Sequence, residues 1–363
     1  MTDDSERKEE VWKLGRRDFV KGATLAAAGS WLATQMAVSA QSANTSATER
    51  TSPTIATDQV PKRKLGGTGL EISVLGLGGY HLGSAKDERT ASEIVAQAMD
   101  AGVNFFDNAW EYHDGESETR VGNALKGRRN RAIVMTKVCT HGRGKAVAMR
   151  MLEESLTRLQ TDYLDIWQIH EVIYDNDPDL IFAAGGVAEA LQLAKQQGKV
   201  RLVGFTGHKD PKIHLRMLTS GFPFDTVQMP LNCFDASFRS FETHVLPEAN
   251  RRGIAVLGMK SLGGIGEMVT SGTITPEEGL RYAMSLPVAT TISGINSLDI
   301  LQQNLSVARA FRPWPVSEME ALRKRCEAFA ADGRFEKFKT TMFYDGDVGR
   351  QQHGFPDAKT LPL

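Results

Sequence analysis

The sequence predicts one α/β domain, a closed (β/α)8 TIM barrel preceded by a hairpin and followed by a helix and a tail. From about residue 74 to residue 309, short apolar runs of strand length alternate eight times with amphipathic runs of helix length. Eight such units in one domain are typical of a TIM barrel. A doubly wound open sheet is the alternative, but no Gly-x-Gly-x-x-Gly motif follows the first apolar run.

The apolar runs mark where the strands of this barrel start. They begin near Val74, Asn104, Ala132, Tyr163, Arg201, Asp225, Ile254 and Ala289. Gly102 and Gly198 follow the carboxyl ends of predicted helices, and Pro276, which precedes two glutamates, begins another helix. One further helix is predicted from Val316 to Ala331. Turn and cap residues therefore separate the strand and helix runs throughout this region.

The amino terminus has the pattern of an export signal. Two adjacent arginines between Gly15 and Lys21 precede an uncharged run that continues to Ala40, and small residues in Val38-Ser-Ala40 predict cleavage after Ala40. The run contains Gly, Ser, Thr and Gln, whereas a membrane span needs ~20 predominantly apolar residues. We therefore expect export to the periplasm by the twin-arginine (Tat) machinery and no stable membrane anchor. An uncleaved anchor is the alternative.

Composition divides the rest of the chain. Residues 1–40 are the predicted signal peptide, and residues 41–60 are rich in Ser, Thr and Ala without apolar periodicity, which predicts a disordered spacer. Residues 61–331 are the predicted barrel with its trailing helix. Residues 332–363 are a polar tail in which we expect irregular structure.

Net charge and cysteine content give no indication of a nucleic-acid partner or of a metal site. A formal net charge of −1 gives no reason to expect a nucleic-acid partner. Cys139, Cys233 and Cys326 lie far apart and outside any metal-ligand spacing, so we expect no metal and at most one intramolecular disulfide. The Tat route exports proteins already folded in the reducing cytoplasm, where a structural disulfide is not needed. All three cysteines are expected to be packing residues, and Cys139 lies just beyond Lys137 at the expected barrel mouth.

Polar side chains of complementary chemistry end three successive predicted strands. Asp107 ends one apolar run, with Tyr112 five residues beyond it; Lys137 ends the next run, and His170 ends the third. The carboxyl ends of parallel barrel strands meet at one face, where barrel enzymes carry their catalytic residues. We therefore expect an acid, a phenol, an amine and an imidazole to lie close together there.

The residues around this acid resemble a known family signature. The stretch Phe106-Asp107-Asn-Ala-x-x-Tyr112, followed by Gly115-Glu-Ser-Glu118, is similar to that of the aldo-keto reductases, and the resemblance extends from about Arg63 to about Arg309. It implies a hydride transfer between NAD(P)H and the carbonyl group of an aldehyde, a ketone or a sugar, or the reverse oxidation of an alcohol. It also implies that the segment from Lys64 to Ser73 is a hairpin that closes the base of the barrel. The catalytic tetrad of the family falls on Asp107, Tyr112, Lys137 and His170.

Residue chemistry assigns each member of this tetrad a role in carbonyl reduction. The developing alkoxide needs a proton donor, and Tyr112 is the candidate. A free phenol has a pKa of about 10, so we expect a nearby cation, Lys137, to lower it. Asp107 can pair with Lys137 and fix its orientation, while His170 can hydrogen-bond the substrate oxygen. Taken singly, each of these residues is more often a packing or ion-pair residue.

The resemblance also assigns positions for the cofactor and the substrate. Tyr80, His81 and Trp110, with Glu111 nearby, flank the expected mouth and indicate an aromatic-lined pocket. Residues 294–297 contain no Lys or Arg to bind a 2′-phosphate, so NADP(H) and NAD(H) both remain open. Thr206 and Gly207 stand where the family usually has Ser and Asn, so His208 is expected to take part of that space. The cofactor positions are Thr206, Gln228, Met259, Lys260, Ser261, Leu262, Gly263, Gly294, Asn296, Gln303 and Asn304.

Three other classes of protein remain as alternatives. A metal-dependent hydrolase would use histidines at the mouth, but these lack the close spacing of paired metal ligands. A Schiff-base lyase would use Lys137 or Lys260 as a neutral amine nucleophile, which a paired Asp107 opposes for Lys137. A cofactor-binding subunit of a potassium channel is the third alternative, and export makes it less expected. The histidines after predicted strands are His113, His141, His170 and His208.

Overall fold

A computed structural model describes residues 58–139, 143–352 and 356. The predicted signal peptide, its cleavage site and most of the spacer fall at residues 1–57, outside the described part of the chain, as does His141. Within the residues described, no helix combines the length and the apolar character needed to cross a membrane.

Eight parallel strands close a barrel, which confirms the predicted fold class. Going around the barrel, the strands follow one another in sequence order and the last pairs with the first, so neighbours in sequence are neighbours in space. Each predicted strand start lies within one residue of an observed start. The strands are β3 (Leu75–Gly78), β4 (Phe105–Asp107), β5 (Ile133–Val138), β6 (Leu164–Ile169), β7 (Val200–Thr206), β8 (Thr226–Pro230), β9 (Ala255–Met259) and β10 (Thr290–Gly294).

Helices surround the barrel and bury their apolar sides against it. The long helices are Glu88–Asp100, Glu116–Ala124, Lys145–Leu159, Val187–Gln196, Pro211–Thr219, Pro276–Ser285 and Leu298–Arg309. Shorter helices are Gly79–Gly83, Asp177–Phe182, Phe241–His244, Leu246–Arg251 and Glu267–Thr270. Single 3-10 turns are Tyr112–Gly115, Arg129–Arg131 and Asp235–Ser237.

Local signals in the sequence account for several helix ends. Thr275 caps the helix that begins at Pro276: its side chain accepts from the amide of Glu278, and the Glu278 carboxylate accepts from the amide of Thr275. Gly102 and Gly198 follow helices with φ of 94° and 72°, a left-handed conformation that glycine adopts without steric penalty. These are the helix boundaries that the sequence predicts.

An antiparallel hairpin closes the base of the barrel. Strands β1 (Lys62–Lys64) and β2 (Glu71–Ser73) pair before the first barrel strand. Leu65 and Ile72 of this hairpin are fully buried. They pack in one cluster with side chains of the barrel interior: Phe105, Ile133, Met135, Ile166, Ala255, Leu257, Ala289 and Ile292. The apolar hairpin therefore keeps water out of this end of the barrel.

The carboxyl-terminal region is more ordered than the sequence predicts. Helix Val316–Ala330 matches the prediction, but the expectation of an irregular tail was wrong in part, because Lys337–Thr340 and Asp347–Gln352 are helical. Lys339 is 1% exposed, and its Nζ lies 2.6 Å from Asp235 Oδ1 and 2.9 Å from Glu336 Oε2. A buried ammonium needs such partners, so this pairing holds the tail against the barrel.

Strands β7 and β8 approach closely at Gly204. A β-carbon built on Gly204 would lie 2.2 Å from Thr226 Oγ1 and 2.3 Å from Thr226 O. Thr226 Oγ1 also accepts a hydrogen bond of 2.9 Å from Gln168 Nε2 on β6, so this threonine cannot move aside freely. Glycine is therefore required at this position for steric reasons.

Replacing Gly204 by alanine should destabilise the barrel. We expect Gly204→Ala to lower the free energy of unfolding by about 1–3 kcal/mol, because the added methyl group overpacks a buried strand pair. The matched control is Gly67→Ala, since nothing lies within 4 Å of a β-carbon there. Denaturant unfolding measures both. Equal stability of the two variants would contradict the close approach.

Candidate active site

The four residues of the predicted tetrad lie together at the carboxyl ends of neighbouring strands. Asp107 is the last residue of β4, Lys137 lies near the end of β5, and His170 follows β6. Tyr112 begins the 3-10 turn that connects β4 to helix Glu116–Ala124. Because β4, β5 and β6 are adjacent in the barrel, their ends bring these side chains to one mouth.

Lys137 is at the centre of this arrangement. Its Nζ lies 2.5 Å from Asp107 Oδ1, donates a hydrogen bond of 2.7 Å to Asn108 O, and lies 3.4 Å from the hydroxyl oxygen of Tyr112. The residue is 1% exposed. Gln228 Nε2 completes the ring of contacts at 3.3 Å from Asp107 Oδ2. The ammonium group is therefore held in one position, directed at the phenol.

Tyr112 is surrounded by aromatic rings and by charge. The ring centroid of Tyr80 lies 5.4 Å from that of Tyr112, and the centroid of His170 lies 5.6 Å from it, both edge to face. Burial, followed by the negative charges of Asp107 and Glu111, raises the pKa of Tyr112 well above its usual value. The expected lowering of this pKa by Lys137 is therefore not found. The phenol is protonated at neutral pH and can donate that proton.

Glu111 joins His170 to Cys139, a contact that the sequence did not predict. Glu111 Oε1 lies 2.5 Å from His170 Nδ1, and Cys139 Sγ donates to Glu111 Oε2 at 2.7 Å. Burial lowers the pKa of His170, although Glu111 partly offsets this effect. Burial alone would raise the pKa of Glu111, but the nearby charge of His170 lowers it overall. The sequence placed Glu111 and Cys139 near the mouth, but it carried no signal that the two side chains meet.

A segment of the tail covers the mouth above these residues. We call residues 336–346 the strap. Lys209 Nζ lies 2.6 Å from Thr341 O and 2.5 Å from Asp345 Oδ1, and the amide of Gly346 donates to Glu171 Oε2 at 2.9 Å. Burial, followed by the charge of Glu111, raises the pKa of Glu171 well above its usual value. The strap therefore ends directly on a buried acid beside His170.

The strap also packs on Lys260, which follows β9. Lys260 Nζ lies 5.3 Å from the ring centroid of Phe338 and 4.9 Å from that of Tyr344, within the range of cation–π attraction. A β-carbon built on Gly264 would lie 1.8 Å from the Tyr344 hydroxyl oxygen, so this ring rests on the backbone after Lys260. Burial lowers the pKa of Lys260 to about 8. The strap thus spans from the Lys260 loop to Glu171.

Comparison with known proteins agrees with this architecture. The model of the aldo/keto reductase family matches residues 74–279, more than half of the chain. The chain belongs to the aldo/keto reductase family. The match covers seven of the eight barrel strands and all four members of the tetrad. Members of this family are oxidoreductases that use NAD(P)H.

Individual relatives resemble this aldo/keto reductase over parts of their length. It is 32% identical over 209 residues to aldo-keto reductase YhdN of Bacillus subtilis, covering 54% of this chain and 60% of that protein. It is 32% identical over 217 residues to L-galactose dehydrogenase of Arabidopsis thaliana, covering 56% of this chain and 66% of that enzyme. The chain therefore matches less than two thirds of the length of each.

A solved structure with a similar fold is aldo-keto reductase AKR11C1 from Bacillus halodurans in its holo form. The TM-score is 0.61 at 25% sequence identity, and the match covers 74% of this chain and 96% of that chain. The resemblance thus extends over nearly the whole of that protein.

The nicotinamide positions implied by the family lie on β7 and β8. Thr206 and Gln228 are paired residues of these strands and are both buried. Gln228 Oε1 is buried and has no hydrogen-bond partner among the residues the structure describes. An acceptor of this kind fits an amide donor such as a carboxamide. The residues present therefore fit the nicotinamide end of the cofactor.

Other cofactor positions lie around the remaining strand ends. Met259 ends β9, and Lys260, with φ of 56°, begins the loop that contains Ser261, Leu262 and Gly263. Asn304 is buried in helix Leu298–Arg309, where its Nδ2 donates to Ser293 Oγ at 3.0 Å. The end of β10 is Gly294, and Asn296 follows it just before this helix. Gln303 lies within the helix.

Tertiary contacts account for the departure from the family pattern after β7. A β-carbon built on Gly207 would lie 2.2 Å from Val172 O, so the asparagine usual in the family would not fit here without moving the backbone. His208 Nδ1 lies 2.9 Å from Phe338 O. This histidine therefore contacts the strap.

The predicted substrate pocket is only partly supported. Tyr80 lies over Tyr112, and the ring of His81 packs on Gly294, where a β-carbon would meet its Nδ1 at 2.2 Å. Burial lowers the pKa of His81 to about 4. Trp110 Nε1 donates to Glu154 Oε2 at 2.7 Å on the outer helix Lys145–Leu159. A place for Trp110 in the substrate pocket stays a prediction.

The described histidines after strands do not form one metal site. His113 Nε2 lies 2.8 Å from Tyr80 O, while His208 contacts the strap and His170 contacts Glu111. The pairing of Lys137 with Asp107 also opposes a Schiff-base role for that lysine, since the nucleophile must be neutral. The geometry therefore favours the tetrad over the histidine ring of a hydrolase.

The lowered pKa of Lys260 predicts a pH dependence of cofactor binding. The protonated amine attracts cofactor phosphates, and this attraction is present below pH 8 and lost as the pH rises through about 8. We expect the Kd for NADPH to rise by up to about tenfold per pH unit above that value. Fluorescence titration at several pH values measures it.

Two variants control this experiment. Lys260→Met should bind NADPH more weakly at pH 7 and show a flat profile. Lys86→Met, at an exposed lysine, should keep the wild-type profile. A Lys260→Met variant whose Kd still rises above pH 8 would show that another group titrates.

Proposed function

We propose that this protein reduces the carbonyl group of an aldehyde or a ketone with NAD(P)H, or oxidises the corresponding alcohol, with Tyr112 as the general acid. The observation that carries the proposal is the partly buried contact of Tyr112 with Lys137, at 3.4 Å from hydroxyl oxygen to Nζ. Lys137 is in turn held by Asp107 at 2.5 Å. A protonated phenol beside a fixed cation is suited to proton transfer to a developing alkoxide.

The residues of the mouth divide the work of the reaction. When bound, NAD(P)H supplies the hydride, and Gln228, Lys260 and the loop after it would hold it. Tyr112 gives its proton to the substrate oxygen as negative charge develops there. The ammonium of Lys137 stabilises the phenolate that remains, and Asp107 keeps that ammonium in place. His170 orients the substrate oxygen, and burial excludes water from these steps.

We infer that the substrate is a small carbonyl compound, a class that includes sugars. The mouth combines aromatic rings with the acidic side chains of Glu111 and Glu171, whose oxygens can accept hydrogen bonds from hydroxyl groups. One relative, from Arabidopsis thaliana, is named L-galactose dehydrogenase, and this name denotes a sugar substrate. Both observations favour hydroxylated substrates.

The catalytic role of Tyr112 predicts a separation of turnover from binding. Tyr112→Phe keeps the ring but removes the proton donor, so we expect kcat to fall by about 100-fold or more while the Kd of the cofactor stays near wild type. Lys137→Met should lower kcat through the same phenol. The measurements are NADPH and NADH oxidation with a panel of aldehydes, ketones and sugars, and fluorescence titration of the cofactor. If Tyr112→Phe retained most of the wild-type activity, the assignment of Tyr112 as the general acid would be contradicted.

We further propose that the cofactor is held tightly and is recycled in place by two substrates. The predicted Tat route exports folded proteins, so a cofactor bound in the cytoplasm can cross with the enzyme to a compartment without a pool to regenerate it. Support comes from the strap, which packs its Tyr344 ring on the loop after Lys260 and is fastened by Lys209. A segment that must move before the cofactor leaves slows dissociation.

Tight retention predicts cofactor in the purified protein. Protein isolated from the periplasm without added cofactor and then denatured should release close to one equivalent of NAD(P). Lys209→Met removes the contacts to Asp345 and Thr341, so we expect faster release and a lower content. Lys212→Met, at an exposed residue of helix Pro211–Thr219, is the control. An empty wild-type site with micromolar, rapidly exchanging affinity would contradict retention but not carbonyl reduction.

A further inference from the structure

Three side chains of different chemistry converge beside Tyr112. Glu111, Cys139 and His170 each place one donor atom within 4.8 Å of the donor atoms of the other two. Cys139 Sγ contacts one oxygen of the Glu111 carboxylate at 2.7 Å, and His170 Nδ1 contacts the other at 2.5 Å. Carboxylate, thiolate and imidazole are the ligand types of zinc, and three protein ligands are usual where the metal keeps an open position.

The packing of this cluster leaves His170 without a well-aligned partner. His170 is 7% exposed, and although its Nδ1 faces Glu111, this atom has no hydrogen-bond partner with proper alignment among the residues described. A buried polar atom without a hydrogen bond is costly, and a metal ion between the three side chains would supply the missing partner. The buried nitrogen is therefore a second observation in favour of a ligand here.

The surroundings of the cluster are rich in carboxylates. A β-carbon built on Gly346 would lie 3.0 Å from Glu171 Oε2 and 3.1 Å from Glu111 Oε2, so both acids border the same small space under the strap. Lys137, a cation beside this cluster, is already paired with Asp107. A divalent cation would offset the charge of these two neighbouring acids, which otherwise oppose each other's ionisation.

We propose that Glu111, Cys139 and His170 form a zinc-binding site whose occupation suppresses carbonyl reduction. Zn²⁺ binds Nδ1 of His170, a carboxylate oxygen of Glu111 and the sulfur of Cys139. The thiol of Cys139 loses its proton to solvent on binding, and no electrons are transferred. Zn²⁺ replaces the thiol proton, so binding adds one net positive charge beside Tyr112. The metal also holds the imidazole of His170, which can then no longer orient a carbonyl oxygen of the substrate.

The ligand set also predicts which metals bind. Thiolate and imidazole favour Zn²⁺ and Co²⁺, whereas Mg²⁺ and Ca²⁺ prefer sites built from oxygen alone. Binding at this site and suppression of carbonyl reduction are therefore expected with Zn²⁺ and Co²⁺, and not with Mg²⁺ or Ca²⁺. A general response to divalent cations would indicate surface binding.

Cobalt provides a readout that does not depend on activity. The full chain, treated with a chelator and then freed of it, is titrated with Co²⁺ while the near-ultraviolet thiolate-to-cobalt charge-transfer band is recorded. We expect the band to saturate at one equivalent and to disappear when Zn²⁺ displaces Co²⁺. Absence of the band in the wild-type protein would overturn the proposal.

Variants assign the band to this cluster. Cys139→Ser should abolish it, and Glu111→Gln, which preserves side-chain shape, should weaken Zn²⁺ binding by at least about tenfold, since even partners outside the ligand set contribute that much. Cys233→Ser is the matched control, because Cys233 Sγ and Cys326 Sγ lie 3.9 Å apart and are the competing thiol site. A band lost in Cys233→Ser but kept in Cys139→Ser would place the metal on that pair and reject the proposal.

The inhibitory part rests on the proposed function and is tested separately. One equivalent of Zn²⁺ should stop NAD(P)H oxidation by the wild-type enzyme, and a chelator should restore it. Stoichiometric zinc binding with unchanged turnover would reject suppression alone. An enzyme that reduces no carbonyl compound would contradict the proposed function, whereas the cobalt titration would still decide the metal site.

Discussion

The ion pair between Lys137 and Asp107 is the interaction on which the mouth of the barrel depends. Both residues are almost fully buried, so neither charge is stable there without the other. Strand pairing brings them together: Asp107 is opposite Met135 in the β4–β5 register, and Lys137 follows two residues later on the same face. The pair in turn holds the ammonium beside the Tyr112 hydroxyl group. Loss of either partner would leave a buried charge and release the phenol from its position.

Exclusion of water explains the electrostatics of the whole site. Burial is the largest influence on the pKa of Tyr112, Glu171, His170 and Lys260, and in each case it favours the uncharged form. The tyrosine and Glu171 therefore keep their protons, while Lys260 titrates close to physiological pH. The same dry environment makes the few fixed charges effective over several ångströms. Burial thus keeps the proton on Tyr112 and also strengthens the electric field of the fixed charges that act on it.

The carboxyl-terminal strap makes this environment possible. It is anchored at one end by the buried cluster of Lys339, Asp235 and Glu336, and at the other by the hydrogen bond from Gly346 to Glu171. Between these anchors it covers Lys260 with aromatic rings. Segments far beyond the last barrel strand therefore complete the site. Retention of a cofactor and protection of the Glu111 cluster would both follow from this closure.

The barrel and its tetrad could be predicted from the amino-acid sequence because the signals for both are local. Strand starts follow from apolar runs between turn residues, and the tetrad follows from polar residues at three successive strand ends. Tertiary structure alone decided the hydrogen bond of Trp110 to Glu154, the need for glycine at position 207 and the course of the strap. It also decided the meeting of Glu111 with Cys139 and His170. These features depend on contacts between residues distant in the chain, such as Lys209 with Asp345, and a sequence pattern carries no record of which distant side chains share a space.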